Sequence, residues 1–352
     1  MIPGVNGRSR FLHPVAWATM ASIAAAATAQ APAPPSTPLY GPHGISALAV
    51  RQGYLGTCYF HASLSSLANA HPEAIRNAIR QDQTGNFHVK FVDGKEEVVS
   101  EDDVSFAEIH RFDRSEGEWV SVLMRAYAQR LLRESLSKAI DKSEQVPTFL
   151  KPTAHSTLES SDLVLQAYDR AVRVVINQNG TIDKAALQAR LDQEGKTLGV
   201  PAAGIQLVKG FLEDNGIFDT LATAIQQNGE FFGAYRSFGQ GGIPSRVFQA
   251  FVGAGHVDFP KNHDRVLAQM RKVQAGGLAM VADSGTNPPA GSANWWVASH
   301  AYSVLGLDEA RQTITVRNPW GEHPDPDGTF TIPLSVFFDS FTIYSFSSPD
   351  TQ

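Results

Sequence analysis

The chain has 352 residues, 43% hydrophobic and 18% charged, the make-up of a globular protein with length enough for two domains. A formal net charge of −6 and a pI near 6.0 exclude nucleic acid as the main partner, because phosphate binding wants a basic surface. No basic stripe, internal repeat or clean apolar run long enough to remain as a transmembrane helix interrupts the sequence.

Residues 1–29 read as a secretion signal: Arg8 and Arg10 give a positive start, Phe11 to Ala26 is mostly apolar, and Ala27-Thr28-Ala29 supplies small residues for cleavage before Gln30. The expected mature protein is secreted or periplasmic and has no membrane span. Residues 30–43 contain a proline- and alanine-rich tether that cannot build a core, with folded structure expected from about Tyr40 to Ser46. A single cysteine, Cys58, cannot form an internal disulfide, so in an oxidising compartment it stays free or pairs between chains.

Cys58 lies where a turn containing Gly53 and Gly56 runs into Phe60, Leu64, Leu67 and Ala68, which share one helical face. A thiol in the first turn of a helix meets unpaired N–H groups and the positive end of the dipole, which favour thiolate. The alternative is that Cys58 is a small buried hydrophobe. His71-Pro72 ends this helix and Glu73 to Arg80 reads as a second. Phe87, Val89 and Phe91 alternate with polar residues up to an Asp93-Gly94 turn and a return strand through Val98 and Val99. The acids Glu96, Glu97, Glu101, Asp102 and Asp103 read as a solvated edge.

Glu118 to Leu131 puts Trp119, Val122, Leu123, Ala126, Tyr127 and Leu131 on one helical face, expected to be core. Residues 132–231 turn polar and helical in pattern (163–177, 182–194, 205–215, 218–228), and His155 is their one group titrating near neutrality. They read as a helical insertion or lid between residues 44–131 and 232–352. Phe238 to Phe251 turns through Gly241-Gly242 into a helix; paired glycines permit positive φ and the approach of another backbone, although they are more often only a turn.

Ala301 to Leu307 and Gln312 to Arg317 read as an antiparallel hairpin around Asp308-Glu309-Ala310. With the loop centred on Glu309, paired residues sum to 618 and His300 faces Asn318. An asparagine oxygen there holds the imidazole's orientation and tautomer, leaving the other ring nitrogen to exchange a proton with a thiol, and Trp320 shields the pair. Cys58 and His61 at helical spacing are weak as a metal site because no second ligand pair accompanies them.

These stretches together resemble the calpain-type cysteine peptidases. That family's nucleophile block has a glutamine six positions before the cysteine, as Gln52 precedes Cys58 here, and its other blocks resemble His300-Ala301-Tyr302-Ser303 and Asn318-Pro319-Trp320-Gly321. The resemblance covers roughly Gln52 to Leu131 and Phe232 to Tyr344. It implies a two-lobed, papain-like α+β fold: a helical lobe with Cys58, and a β-rich lobe with His300 and Asn318. Cys58 is then nucleophile, His300 acid/base, Asn318 its orienter and Gln52 an oxyanion donor, with Gly241, Gly242 and Trp320 lining the substrate. A protein or peptide is the implied substrate, and a Cys58 thiolate/His300 imidazolium pair the implied reactant.

The usual Asp-Cys-Trp of the family reads Thr57-Cys58-Tyr59, which implies tuned chemistry. No cofactor is implied with certainty: there is no EF-hand, the Asp325/Asp327/Gly328 turn is too short for one, and calcium dependence stays open, as does oligomeric state. The same groups also suit a transamidase or deamidase, or a latent binding scaffold.

Overall fold

Small and hydroxyl side chains decide where the first helix lies. Helix α1 (Cys58–Ala70) is buried from Tyr59 to Ala68, on all sides and not only on the apolar face that spacing predicts. Its serines make this tolerable, because each finds a partner: Ser63 Oγ donates to the Tyr59 carbonyl at 2.7 Å, Ser65 Oγ to the Ala47 carbonyl at 3.4 Å, and Ser66 Oγ accepts the Met280 N–H at 2.7 Å. The computed structural model describes residues 38–142, 167, 170–171, 175, 183–214, 235–258, 263–288 and 294–348, all within a single unit from Thr37 to Gln352. The signal and most of the tether, His155, the helix at 218–228 and most of that at 163–177 lie outside the described residues.

Pro72 opens α2 (Pro72–Ala78), where a missing N–H costs nothing. The chain then leaves the helix earlier than expected, as β1 (Ile79–Gln81), which pairs with β2 (Phe87–Lys90); β2 pairs with β3 (Glu96–Val99) around Gly94 at φ +84°. The acids after the turn are not all a solvated edge. Glu97 is buried and held by Arg133 through paired bonds of 2.9 and 2.7 Å, and Asp103 is buried 3.3 Å from Arg125. Asp103 also completes a capping box with Ser100 at the start of α3 (Glu101–Ile109).

Both arginines sit on α4 (Trp119–Lys142), whose Trp119, Val122, Leu123, Ala126 and Tyr127 form core as expected; the helix runs unbroken across the expected boundary at 131/132. Helices α5 (Lys184–Leu198), capped by Asp183 and closed by left-handed Gly199, and α6 (Ala202–Asp214) bear out the helical pattern there. After α7 (Tyr235–Phe238) come Gly241-Gly242 and α8 (Pro244–Val252).

The second sheet is six-stranded and antiparallel in every pairing, in the order β4 (His256–Asp258), β9 (Phe341–Phe346), β5 (Met280–Ser284), β6 (Ala301–Asp308), β7 (Thr313–Arg317), β8 (Thr329–Pro333). α9 (His263–Gln274) and α10 (Leu334–Ser340) complete this mixed α+β chain. β5 alternates between two cores: Val281 packs with α1, α4 and α8, whereas Met280 and Ala282 pack with α9 and α10. Among the described residues no helix is long and apolar enough to cross a membrane.

Arg317, wholly buried, ties β7 to the segment before α1: its guanidinium donates to the Val50 carbonyl at 2.7 Å and to the Asp327 carbonyl at 3.0 Å. Burial pushes its pKa down to about 10, so the charge is carried at a desolvation cost that the carbonyls offset. Arg317→Ala leaves both carbonyls unpaired and opens a cavity; urea denaturation should record a loss of about 3 kcal/mol.

Candidate active site

The hairpin of β6 and β7 does not have the expected register, yet the expected side chains meet. Its loop spans four residues, 309–312, closed by Gln312 at φ +54°, and a bulge between Val304 and Gly306 shifts the ladder again, so Ser303 pairs with Arg317. On that register Asn318 lies two residues from direct opposition to His300. The side chains span the offset: His300 Nε2 and Asn318 Oδ1 are 3.0 Å apart.

The orientation of the Asn318 amide follows from a second bond. The Trp320 backbone N–H donates to the same Oδ1 at 3.1 Å, so that atom is the acceptor, Nε2 of His300 carries the hydrogen, and Nδ1 keeps its lone pair. The Trp320 indole covers the imidazole with centroids 4.8 Å apart, and Tyr302 meets it edge-on at 5.0 Å. The His300 backbone is pinned by Ser284, whose Oγ accepts its N–H at 3.0 Å, and the preceding Ser299 turns into β6 at φ +51°.

Cys58 is the first residue of α1 and is half-buried. The N–H groups of Ala301, Tyr59 and Cys58 do pull the thiol's pKa down, as the helix-start argument expects, but burial outweighs them and the nearby Asp283 carboxylate adds to the upward push. His300 is pushed down to about 4 by burial, only partly countered by its bond to Asn318. Each charge taken alone is therefore disfavoured.

Gln52 is buried beside the asparagine block, its N–H donating to the Pro319 carbonyl at 2.7 Å and its carbonyl accepting from Arg114 Nε at 3.0 Å. One hydrogen of its Nε2 goes to the Leu55 carbonyl at 2.7 Å, which fixes the side chain and leaves the second hydrogen. Gly241 has φ +90°. Gly242 lies flat on the Tyr59 ring, which a Cβ would meet at 2.5 Å. His61 is no ligand: it is fully buried between the Thr57 carbonyl at 3.0 Å and Asp113 Oδ1 at 3.4 Å. Among the described residues no three His, Cys, Asp or Glu side chains gather as a metal site.

Sequence reasoning missed Arg114, Ser284 and Asp283. Each acts across a long sequence separation that local patterns do not encode: the sheet order brings Ser284 and Asp283 here, and the loop before α4 brings Arg114.

A thiol at a helix start, an imidazole of fixed tautomer and a carboxamide are the equipment of thiol-dependent acyl transfer, the chemistry of cysteine peptidases. Residues 8–159, less than half of the chain, match the family described as calpain family cysteine protease. That match contains Gln52 and Cys58 and ends before His300 and Asn318. No curated protein matches the chain. Among solved structures, PepW from Lactobacillus rhamnosis HN001 aligns over 89% of this chain and 82% of its own at 12% identity, with a TM-score of 0.29, which is too loose to bear on the fold.

Because the Tyr59 ring has no room to retreat, with its hydroxyl bonded to the Phe238 carbonyl at 3.3 Å, Gly242→Ala must displace the residue next to the thiol. We expect a thermal-unfolding loss of about 1–3 kcal/mol together with slower alkylation of Cys58.

Proposed function

We propose that this protein is a papain-like, two-lobed cysteine endopeptidase, with Cys58 as nucleophile, His300 as acid/base, Asn318 as its orienter and Gln52 as oxyanion donor. The observation that carries the reading is the shared Asn318 Oδ1: it fixes His300 with Nδ1 as the proton acceptor, one residue before the Ala301 N–H that favours the Cys58 thiolate. Attack on a peptide carbonyl moves the thiol proton to Nδ1. Thiolate and imidazolium then form together, and their mutual attraction in a site of low dielectric offsets the desolvation that each would suffer alone. The Cys58 N–H and the free Gln52 hydrogen stabilise the oxyanion, His300 returns its proton to the leaving amine, and water releases the acyl group. Gly241, Gly242 and Trp320 border the substrate. Export directed by residues 1–29 belongs to the same reading, and sequencing the mature amino terminus tests it.

Hydrolysis of a quenched peptide library tests the assignment. Gln52→Ala should lose roughly 100- to 1000-fold in kcat/KM, and Cys58→Ala, His300→Ala or Asn318→Ala should lose no less; wild-type rates from Gln52→Ala would remove that residue from the mechanism. The new peptide termini also separate hydrolysis from deamidation, which would release ammonia alone.

The raised thiol and lowered imidazole predict a resting pair that is mostly neutral. Alkylation of Cys58 by a small neutral reagent should therefore climb between about pH 6 and about pH 9, as thiolate appears. A rate already on its plateau at the acid end would mean that the proton rests on His300.

A further inference from the structure

A cavity of about 530 Å³ opens beside Gly242. Its walls are glycine, hydroxyl and aliphatic groups, including Gly242, Ile243, Ser299, Thr342 and Ile343, and Asp283 is the one charged residue lining it. Asp283, next to last in β5, is in step with Val281, so it points to the side of the sheet on which α1 packs. It is paired in the ladder with Ala301, the neighbour of His300, and its carboxylate acts electrostatically on the Cys58 thiol. Cavity and nucleophile are thus neighbours.

Among the described residues no side chain pairs with the carboxylate, and enclosure alone pushes its pKa up to about 7. Two other buried carboxylates are matched, Glu97 by Arg133 and Asp103 by Arg125. A lone carboxylate lacks the further ligands a metal ion would need, so a matching charge must be organic.

Resting on the peptidase reading, we infer that this cavity is a specificity pocket for a cationic side chain of the substrate, lysine or arginine, held by Asp283. An ammonium or guanidinium entering it would complete a charge-assisted hydrogen bond in a partly enclosed site, whereas an aliphatic side chain would leave the carboxylate unpaired and an acidic one would be repelled. The pocket volume suits either basic side chain.

Irreversible peptidyl epoxides read this without requiring turnover. N-acetylated probes carrying lysine, arginine, norleucine or glutamate at each of the three positions on the acyl side are compared by their rate of Cys58 labelling. At one position the basic probes should label roughly 10- to 100-fold faster than norleucine, with glutamate slowest. Asp283→Asn should collapse that ratio towards one and Asp283→Glu should keep much of it; any change in thiol reactivity itself cancels in the ratio. Equal labelling by lysine and norleucine probes in the wild type at all three positions overturns the pocket and leaves the peptidase standing. Labelling by no probe overturns both. A preference appearing only with unacetylated probes would mean that Asp283 holds an α-ammonium, and it too would overturn the side-chain assignment.

Discussion

The structure depends on how closely one helix lies on one sheet. α1 carries the thiol and β6 follows the imidazole, and the two approach because Ala62, Ser63, Ser65 and Ser66 project little beyond the helix backbone. Ser303 Oγ on β6 donates to the Ala62 carbonyl at 2.9 Å, inside the helix, while Ser66 accepts from β5. Larger residues at these positions would lift Cys58 away from Ala301. Polar groups buried this deeply are tolerated only because each is matched, and matching fixes the helix in rotation and translation more sharply than packed methyl groups would.

The same enclosure bears on the proposed chemistry. Removing water from the thiol and the imidazole disfavours either charge alone, yet it strengthens the attraction between them once a proton moves. The bond from Asn318 keeps the imidazole's accepting nitrogen defined throughout. The glutamine is bolted to the asparagine block through main-chain bonds to Pro319 and Arg114, so the groups proposed to handle charge on both sides of the reacting carbon share one support.

Much of the candidate site was legible in the sequence because it is written locally. A glycine turn before an apolar helix announced Cys58; a short hairpin announced His300 and Asn318 as a pair. The register was misjudged because the four-residue loop and the bulge after Val304 each move the ladder by an amount that hydrophobic alternation does not record. That the pair still meets owes more to the Trp320 N–H, which holds the amide in place, than to direct opposition. The acids at 96–103 misled for another reason: charge density reads as solvent exposure, and the arginines that bury Glu97 and Asp103 lie some 20 to 36 residues further on, on α4. Asp283 gave no signal at all, since one acid near the end of a strand says nothing until the sheet order sets it near the thiol.

Asn318 is followed by Pro319, whose nitrogen bears no hydrogen. Spontaneous ageing of an asparagine starts when the next residue's amide nitrogen attacks the side-chain carbonyl, closes a five-membered succinimide and expels ammonia. A proline nitrogen cannot complete that ring closure by losing a proton. The carboxamide that orients His300 is thus shielded from slow conversion to an aspartate, whose full negative charge would raise the imidazole's basicity and hold its proton too tightly. The pairing of these two residues gives the protein a chemical shelf life as well as a geometry.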